Sequence, residues 1–181
     1  MRKSTIPKPL VREAWMKRLL CIVLLWAILP FQNGYGYDDQ TARDTLRGIS
    51  AITVSVTYWG RTDSEPPGLS KDQVKNNVEL RLREAGIRVV DPKEAVRLKH
   101  VSAELLVLIN CMDYQSIYAC YLETQLVQAV HVEKNDQFTA TPTWSVKRFA
   151  LLGTDRIRVI HEYARDMVDQ FLNAYLAVNP R

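Results

Sequence analysis

Two cysteines close together in the chain are the first candidates for chemistry. Cys111 and Cys120 are separated by eight residues in the stretch INCMDYQSIYACYL. Such a pair can form a disulfide, stay as free thiols, or belong to a metal or redox site. A redox centre typically uses a Cys-x-x-Cys spacing at a helix start, and a structural zinc site needs four ligands. Neither pattern is present, so in an exported protein the pair favours a disulfide.

A histidine and a carboxylate on one predicted strand are the second candidates. His131 and Glu133 are two residues apart, so they point to the same side of a strand, where they could bind zinc or act as an acid–base pair. The sequence shows no third partner for them, which favours a polar, solvated strand face. On the last predicted helix, His161-Glu162 lacks the metalloprotease pattern because Arg165 occupies the position of the second histidine.

Motifs of the common enzyme classes are absent from the sequence. It contains no Gly-x-Ser-x-Gly elbow, no phosphate-binding loop and no dinucleotide fingerprint. We therefore expect no catalytic residue, no metal and no cofactor. A small envelope hydrolase or metal-dependent enzyme that uses His131 and Glu133 remains the alternative.

Three tyrosines surround the tip of a predicted hairpin. Tyr114, Tyr118 and Tyr121 lie there, with Met112 beside them. Tyrosine offers a large contact area at a low entropic cost, so we interpret the three as a candidate partner surface. Ordinary strand packing is the alternative. If they form a recognition surface, Tyr114→Ala and Tyr118→Ala should leave folding intact and weaken the capture of a partner.

An apolar run near the start of the chain indicates where the protein works. Leu19 to Phe31 is a run of 13 residues, and Lys17 and Arg18 precede it. A membrane-spanning helix needs about 20 apolar residues, so this run suits a secretory signal better. An uncleaved signal anchor and a buried core helix are the alternatives.

Small residues follow the apolar run at the spacing of a cleavage site. Gly34 and Gly36 occupy the −3 and −1 positions before Tyr37. We expect residues 1–36 to be a signal peptide, with Met16 as a possible true start. The mature protein would then be periplasmic or secreted and would have no membrane span.

The positive charge of the chain belongs to this first segment. The whole sequence carries a net charge of +4, and residues 1–36 hold six of its 24 Lys and Arg but one of its 20 Asp and Glu. Without them the net charge is about −1, which gives no basis for nucleic-acid binding. The nearest approach to a basic cluster, Arg81, Arg83 and Arg88, is spread and diluted by acidic neighbours, as on a solvated face.

Hydrophobic periodicity predicts a single α/β domain over residues 51–181, preceded by a polar lead-in over 37–50 that is a tether or a short helix. Alternation predicts a strand over 52–58. Ser70 and Gln73 form a capping box that begins a helix, which Gly86 ends. A short strand over 87–90 and a short helix from Asp91-Pro92 follow in the sequence.

Three longer strands and a final helix complete the predicted domain. Strands are expected over 104–111, 117–132 and 138–149, and the helix from Gly153 to Asn179. The apolar run of residues 104–109 is typical of a central strand that is covered on both faces.

The predicted order, β-α-β-(α)-β-β-β-α, is typical of an α/β (α+β) sandwich with a mixed sheet of about five strands. The first two strands would be parallel and the last three antiparallel. A hairpin of the third and fourth strands would place Cys111 opposite Cys120, at the distance that a disulfide needs.

Five stretches of this sequence carry a resemblance to known proteins: DTLRGISAITVSV, VELRLREAGIRVV, YLETQLVQAV, TPTW and MVDQFLNAYLAVNP. Together they resemble a group of small exported bacterial proteins of unknown function. The strand–helix–strand opening with LREAGIRVV also resembles, more loosely, the amino-terminal domain of the Tol-system propeller protein, TolB. These resemblances imply an α/β binding domain of the cell envelope and bring no catalytic residues.

We therefore expect a non-catalytic, exported interaction module of the bacterial cell envelope. It would dock a protein partner through a sheet edge or through the tyrosine-bearing hairpin.

Overall fold

A five-stranded mixed sheet is the centre of the fold. The computed structural model describes residues 36–58, 68–98 and 103–180. The expected signal peptide, apart from Gly36, lies outside the described residues, as do residues 59–67, which follow the first strand.

The elements follow each other in the predicted order. The strands of the sheet are arranged β2-β1-β3-β4-β5. β1 is parallel to both β2 and β3, while β3, β4 and β5 form an antiparallel meander. This architecture confirms the predicted α/β sandwich with a mixed sheet. In chain order the elements are α1 (Gln40–Asp44), β1 (Ala51–Tyr58), α2 (Lys71–Glu84), β2 (Arg88–Val89), α3 (Pro92–Leu98), β3 (Ala103–Tyr114), β4 (Ile117–Val132), β5 (Gln137–Gly153), a 3₁₀ turn (Thr154–Arg156) and α4 (Val159–Val178).

Helix α2 begins and ends at the residues that its sequence predicts. The Ser70 hydroxyl accepts a hydrogen bond from the backbone N–H of Gln73, which satisfies one of the free donors at the helix start. Gly86 follows the helix with a φ of +82°, a conformation that glycine adopts without strain. The apolar stripe of the helix, Val74, Val78 and Leu82, is buried.

Helices α2 and α4 pack on one face of the sheet, which we call the inner face; the opposite face is the outer face. Alternate residues of the strands point inward and form the core with the helices. Trp144 of β5 is fully buried there and makes an edge-on contact with Phe171 of α4, with ring centroids 5.3 Å apart. The other fully buried large side chains include Leu105, Ile109, Leu122, Leu126, Ile160 and Met167.

The outer face is only partly covered, which differs from the expectation for β3. Val107 is buried on the inner face, whereas Leu106 and Leu108 on the outer face are half-buried. The short helix α3 lies at the outer face, where Pro92 and Ala95 line a depression with residues of β1. Because α3 has seven residues, it covers only the amino-terminal ends of β1 and β3. β3 therefore carries apolar side chains on its outer face that are only half-buried in the structure.

The lead-in before β1 is attached to the domain. Its helix α1 places Ala42 and Leu46 in the core, and Leu46 is fully buried. Tyr37 exchanges hydrogen bonds with Ser145 on the edge of β5. A Cβ atom on Gly36 would lie 2.0 Å from the Ser145 carbonyl oxygen, so only glycine fits at that position. Of the two predicted forms, tether or short helix, the lead-in takes the helical one.

β5 is longer than predicted and contains an irregularity. It continues four residues past Phe149, to Gly153. Leu126 lies opposite Trp144 and the next residue of β4 lies opposite Pro142, so Thr143 is an extra residue on β5. Its hydroxyl is 2.6 Å from the Gln128 side-chain oxygen, to which it donates a hydrogen bond. The bulge lets the long hairpin bend without losing its pairing on either side.

Candidate binding surface

The two cysteines form a disulfide beneath the tip of the β3–β4 hairpin. Cys111 lies directly opposite Cys120 in the register, with Cα atoms 4.1 Å apart, and their sulfurs are bonded. Both side chains point to the inner face, where Cys120 is fully buried. The predicted disulfide is confirmed. It fixes the two strands against each other three residues before the hairpin ends at Tyr114.

Exposed hydrophobic side chains gather on the outer face at this same end of the sheet. The register places them on adjacent positions of β3, β4 and β5. Tyr121 lies opposite Phe149, and Ala119 lies between Met112 and Leu151. We call this set the apolar cluster; it consists of Met112, Tyr114, Ile117, Tyr121, Phe149 and Leu151.

The apolar cluster is large for the surface of a single chain. Tyr114 is 73% exposed, and Phe149 and Leu151 are each 66% exposed. Since a large side chain presents about 150–250 Å², the six exposed fractions together amount to roughly 700 Å². The largest apolar patch on an ordinary monomer measures about 300–600 Å². A patch of this size indicates a surface that contacts another molecule.

A charged pair borders the cluster on the same face. Glu123 lies opposite Lys147 in the register, and Nζ of the lysine is 3.5 Å from Oε1 of the glutamate. The other carboxylate oxygen accepts a 2.7 Å hydrogen bond from the Tyr121 hydroxyl. Burial raises the pKa of Tyr121, and the hydrogen bond to Glu123 and its negative charge raise it further. Tyr121 is therefore a neutral hydrogen-bond donor whose ring is held in place at the rim of the cluster.

Next to the cluster runs the free edge of β5. β5 is an edge strand of the sheet. The backbone N–H of Ser145 donates a hydrogen bond to the backbone carbonyl of Tyr37. From Val146 to Gly153, β4 is the one strand paired with β5 among the residues that the structure describes. The cluster thus continues to an open strand edge that carries Phe149 and Leu151.

The three predicted tyrosines do not share a face. Tyr114 and Tyr121 lie in the apolar cluster, whereas Tyr118 points to the inner face and is half-buried against the core. Tyr118 is three residues from Tyr121, and residues at an odd spacing on a strand point to opposite faces. The three tyrosines were grouped because they are close together in the sequence. The strand alternation that places Tyr118 on the opposite face from Tyr121 is also visible in the sequence.

The sequence predicted no surface role for three members of the cluster, Ile117, Phe149 and Leu151. Phe149 and Leu151 come from β5, which was predicted to end at Phe149. The signal that could have found Phe149 and Leu151 is the apolar run Phe149-Ala150-Leu151-Leu152, which continues the strand to Gly153; in the structure Ala150 and Leu152 are buried and the other two are exposed.

His131 and Glu133 lie far along the β4–β5 hairpin from the cluster. The carboxylate that contacts His131 belongs to Asp136 on the other side of the turn, at 2.6 Å from Nε2. The imidazole also packs against Phe138, with ring centroids 5.0 Å apart. Within residues 36–58, 68–98 and 103–180, no three His, Cys, Asp or Glu side chains are arranged to hold a metal ion.

His161 lines a groove of about 360 Å³ between α2 and α4. The charged residues around it are of both signs, and Arg81 is paired with Asp169 across the two helices. The groove therefore carries charges of both signs. Among the residues that line it, no nucleophile lies beside a base.

Comparisons with known proteins assign no family to this chain. No protein-family model matches the sequence, and no curated protein matches it. Among solved structures, the PelC dodecamer from Paraburkholderia phytofirmans is similar with a TM-score of 0.42 and 15% identity, over 71% of this chain and 88% of that one. A hypothetical protein from Chlamydia trachomatis, CT253, is similar with a TM-score of 0.46 and 10% identity, over 71% of this chain and 98% of that one. The resemblance to TolB stays a prediction.

None of the described helices has both the length and the apolar character that crossing a membrane requires.

Proposed function

We propose that the protein is a non-catalytic, exported interaction module of the bacterial cell envelope that docks a protein partner through the apolar cluster. The observation that carries this proposal is the exposure of six large hydrophobic side chains on adjacent positions of one sheet face. Keeping such a surface in water is costly, and in stable proteins it marks a site of interaction.

The shape of the surface supports a protein as the partner. Sites for small molecules are concave and enclose most of the ligand. The apolar cluster lies instead on the open face of a three-stranded ribbon, with Tyr114 near the turn and Leu151 near the strand edge. An extended, open surface with aromatic anchors at its centre is typical of protein–protein contacts.

The rigidity of the surface also supports a role in recognition. The disulfide between Cys111 and Cys120 lies directly beneath the cluster, and Tyr121 is held by its bond to Glu123. Side chains that are already ordered lose little entropy when a partner binds. The disulfide and the bond to Glu123 therefore lower the entropic cost of binding at the part of the surface that they hold.

The disulfide supports a place outside the cytoplasm. Disulfides persist in the periplasm and in secreted proteins, while cytosolic reductants keep most thiols reduced. The expected signal peptide over residues 1–36 agrees with this location, so the partner is sought among proteins of the envelope.

Substitutions on the β5 side of the cluster test the proposal. Phe149→Ser and Leu151→Ser remove apolar area and leave the inner face untouched. The matched control is Val96→Ser, because Val96 on α3 is 80% exposed and lies outside the cluster. In cells that express the full chain, cross-linking in the envelope fraction is followed by mass spectrometry.

We expect both cluster variants to lose their cross-linked adduct and the control to keep it, with the same thermal unfolding for all three. Adducts that survive Phe149→Ser and Leu151→Ser would reject the cluster as the binding surface.

A further inference from the structure

We infer that the partner docks as an extended segment that adds a sixth strand to the free edge of β5, antiparallel to it, and covers Phe149 and Leu151. This inference rests on the proposed function, since it names the class of partner for the same surface. Its grounds are the direction of the backbone groups of β5, the way in which the lead-in already uses this edge, and the apolar side chains beside it.

The backbone groups of alternate residues in β5 point away from β4. The N–H of Ser145 donates to the lead-in, whereas the N–H of Thr154 donates to the carbonyl of Ser116 in the β3–β4 turn. The register between β4 and β5 is unbroken from residue 145 to residue 153. Odd-numbered positions therefore direct their N–H and C=O groups to the edge, and even-numbered positions direct theirs to β4.

The pairing of the two cysteines supports the same assignment. The Cα atoms of Cys111 and Cys120 are 4.1 Å apart, a distance typical of an antiparallel pair that is not hydrogen-bonded. Cys120 therefore directs its backbone groups away from β3, to Ala150 on β5. The two neighbours of Ala150, which are Phe149 and Leu151, direct theirs to the free edge.

The lead-in shows how an extended segment binds at this edge. The Ser145 N–H donates a 3.0 Å hydrogen bond to the Tyr37 carbonyl. Gly36 lies beside Val146, since a Cβ atom on Gly36 would be 2.7 Å from the Val146 Cα. The segment thus runs antiparallel to β5. The expected mature chain begins at Tyr37, so the edge beyond Ser145 is left for a partner that continues the same line.

The open stretch of β5 lacks the features that usually protect a strand edge. Such edges are protected by proline, by bulges or by charged side chains. β5 has Pro142 and the bulge at Thr143 before the contact with the lead-in. After that contact, Lys147 is paired with Glu123, and the next residues on the outer face are apolar and exposed. The stretch after Lys147 is therefore the part of the edge that is suited to pairing.

The side chains beside the edge favour an apolar segment. Phe149 and Leu151 lie two residues apart on the outer face and are exposed. Residues directly opposite on paired strands have Cβ atoms about 4.5–5.5 Å apart. Apolar or aromatic residues at alternate positions of the segment would therefore cover both side chains, while the backbone hydrogen bonds hold the segment in register.

A second copy of the chain meets an obstacle at this edge that a single segment does not. Antiparallel pairing places the beginning of one β5 beside the end of the other. The lead-in bound at Ser145 of the second copy would then lie against the end of β5 or the 3₁₀ turn of the first. A single extended segment brings no such bulk. Gly36 and Tyr37, which already use the edge, belong to no strand themselves.

Photo-cross-linking along the edge tests the direction and the register. p-Benzoylphenylalanine is placed singly at positions 147, 149 and 151 of the full chain in its host cells. Position 96 on α3 is the control, because Val96 is exposed and lies outside the cluster. The peptide joined to each position is identified by mass spectrometry. We expect one contiguous segment of one envelope protein, with the joined residues descending by about two from each position to the next, and no adduct with that segment from position 96.

Proline distinguishes backbone pairing from side-chain contact. Leu151→Pro removes an N–H that points to the edge and no bond to β4, so its thermal unfolding should match that of Leu151→Ala. With the cross-linker at position 147, we expect Leu151→Pro to give about fivefold less adduct than Leu151→Ala, since only the proline loses a backbone hydrogen bond. Equal yields overturn the added strand. Phe149→Pro against Phe149→Ala repeats the comparison if Leu151→Pro is unstable.

The same cross-links separate this inference from the proposed function. Joined residues that ascend along the partner, or that fall on several separate segments of it, overturn the added antiparallel strand and keep a protein partner on the cluster. An adduct with a second copy of the chain, or with residues 33–35 of the chain itself, overturns the inference because another occupant holds the edge. No adduct from any of the three positions overturns both.

Discussion

The indole N–H of Trp144 donates a 2.7 Å hydrogen bond to the carboxylate of Asp38, which lies 106 residues earlier in the chain. The same carboxylate accepts two hydrogen bonds from Arg43, at 2.8 and 2.9 Å. This contact fastens the lead-in to β5 above the core. Burial alone would raise the pKa of Asp38, but the hydrogen bonds from Arg43 and Trp144 outweigh it and lower the pKa.

Asp38→Ala should destabilise the fold by about 1–3 kcal/mol, because the fully buried Trp144 loses its acceptor and an unpaired buried donor is costly. The free energy of unfolding, measured by urea titration, checks this. Asp44→Ala is the control, since Asp44 is exposed and lies on α1 in the same lead-in. Equal losses in the two variants would show that the bond to Trp144 contributes nothing of its own.

Acid should weaken the same contact. Because the pKa of Asp38 is lower in the folded state than its ordinary value of 3.8, the stabilisation is present above that value. It is lost as the pH falls through the folded pKa. The stability difference between wild type and Asp38→Asn should therefore be constant near neutrality and shrink in acid. Urea titrations at several pH values measure it, and a difference that grows in acid would contradict the assignment.

Reduction of the disulfide should cost the fold about 2 kcal/mol, a modest amount because the closed loop is short. Cys111 and Cys120 are nine residues apart. Urea unfolding with and without a thiol reductant measures the effect. The control is the double variant Cys111→Ala, Cys120→Ala, in which the reductant should change nothing. If reductant shifted the double variant as much as the wild type, the effect would not come from this bond.

Two tyrosines at one hairpin should respond differently to alanine. Tyr118→Ala removes a half-buried side chain that packs on the core, so we expect a loss of about 1–3 kcal/mol. Tyr114→Ala removes an exposed side chain and should leave stability within about 0.5 kcal/mol of the wild type. Thermal and urea unfolding measure both. A stable Tyr118→Ala variant would place that ring outside the core.

Tyr121 should remain protonated in alkali at a pH where exposed tyrosines have ionised, because burial and Glu123 raise its pKa above the ordinary value of 10.0. Its contribution to stability is fully present below pH 10 and is lost as the pH rises through the folded pKa. The ultraviolet absorbance of phenolate follows the ionisation, and Tyr121→Phe identifies the late step. Glu123→Gln should move that step to lower pH; an unmoved step would separate Glu123 from the effect.

The sequence predicts those elements of the fold whose ends are marked by residues close to them in the chain. The cap at Ser70 and the glycine at position 86 define α2 because they act within one turn of the helix. The same holds for the opposed cysteines, since a short hairpin leaves one register. Alternation separates Tyr118 from Tyr121, but it does not say which of them faces the core.

What the sequence does not reveal depends on contacts between distant segments. The bond between Asp38 and Trp144 joins a polar lead-in to the last strand, and no local pattern marks it. The apolar cluster likewise exists only after β5 is placed beside β4, because Phe149 and Leu151 approach Tyr121 through the pairing of two long strands. Helices α2 and α4 bury the inner face of the sheet, whereas the short helix α3 covers only part of the outer face.

Pairing of Tyr37 with Ser145 closes a loop of more than a hundred residues, and this sets an order of events in folding. The meander of β3, β4 and β5 joins neighbours in the chain, so it can form early at a small entropic cost. Residues 36–46 have their partners on β5 and α4, which follow every other described element in the chain. Among the segments that the structure describes, the one that is synthesised first therefore finds its partners last.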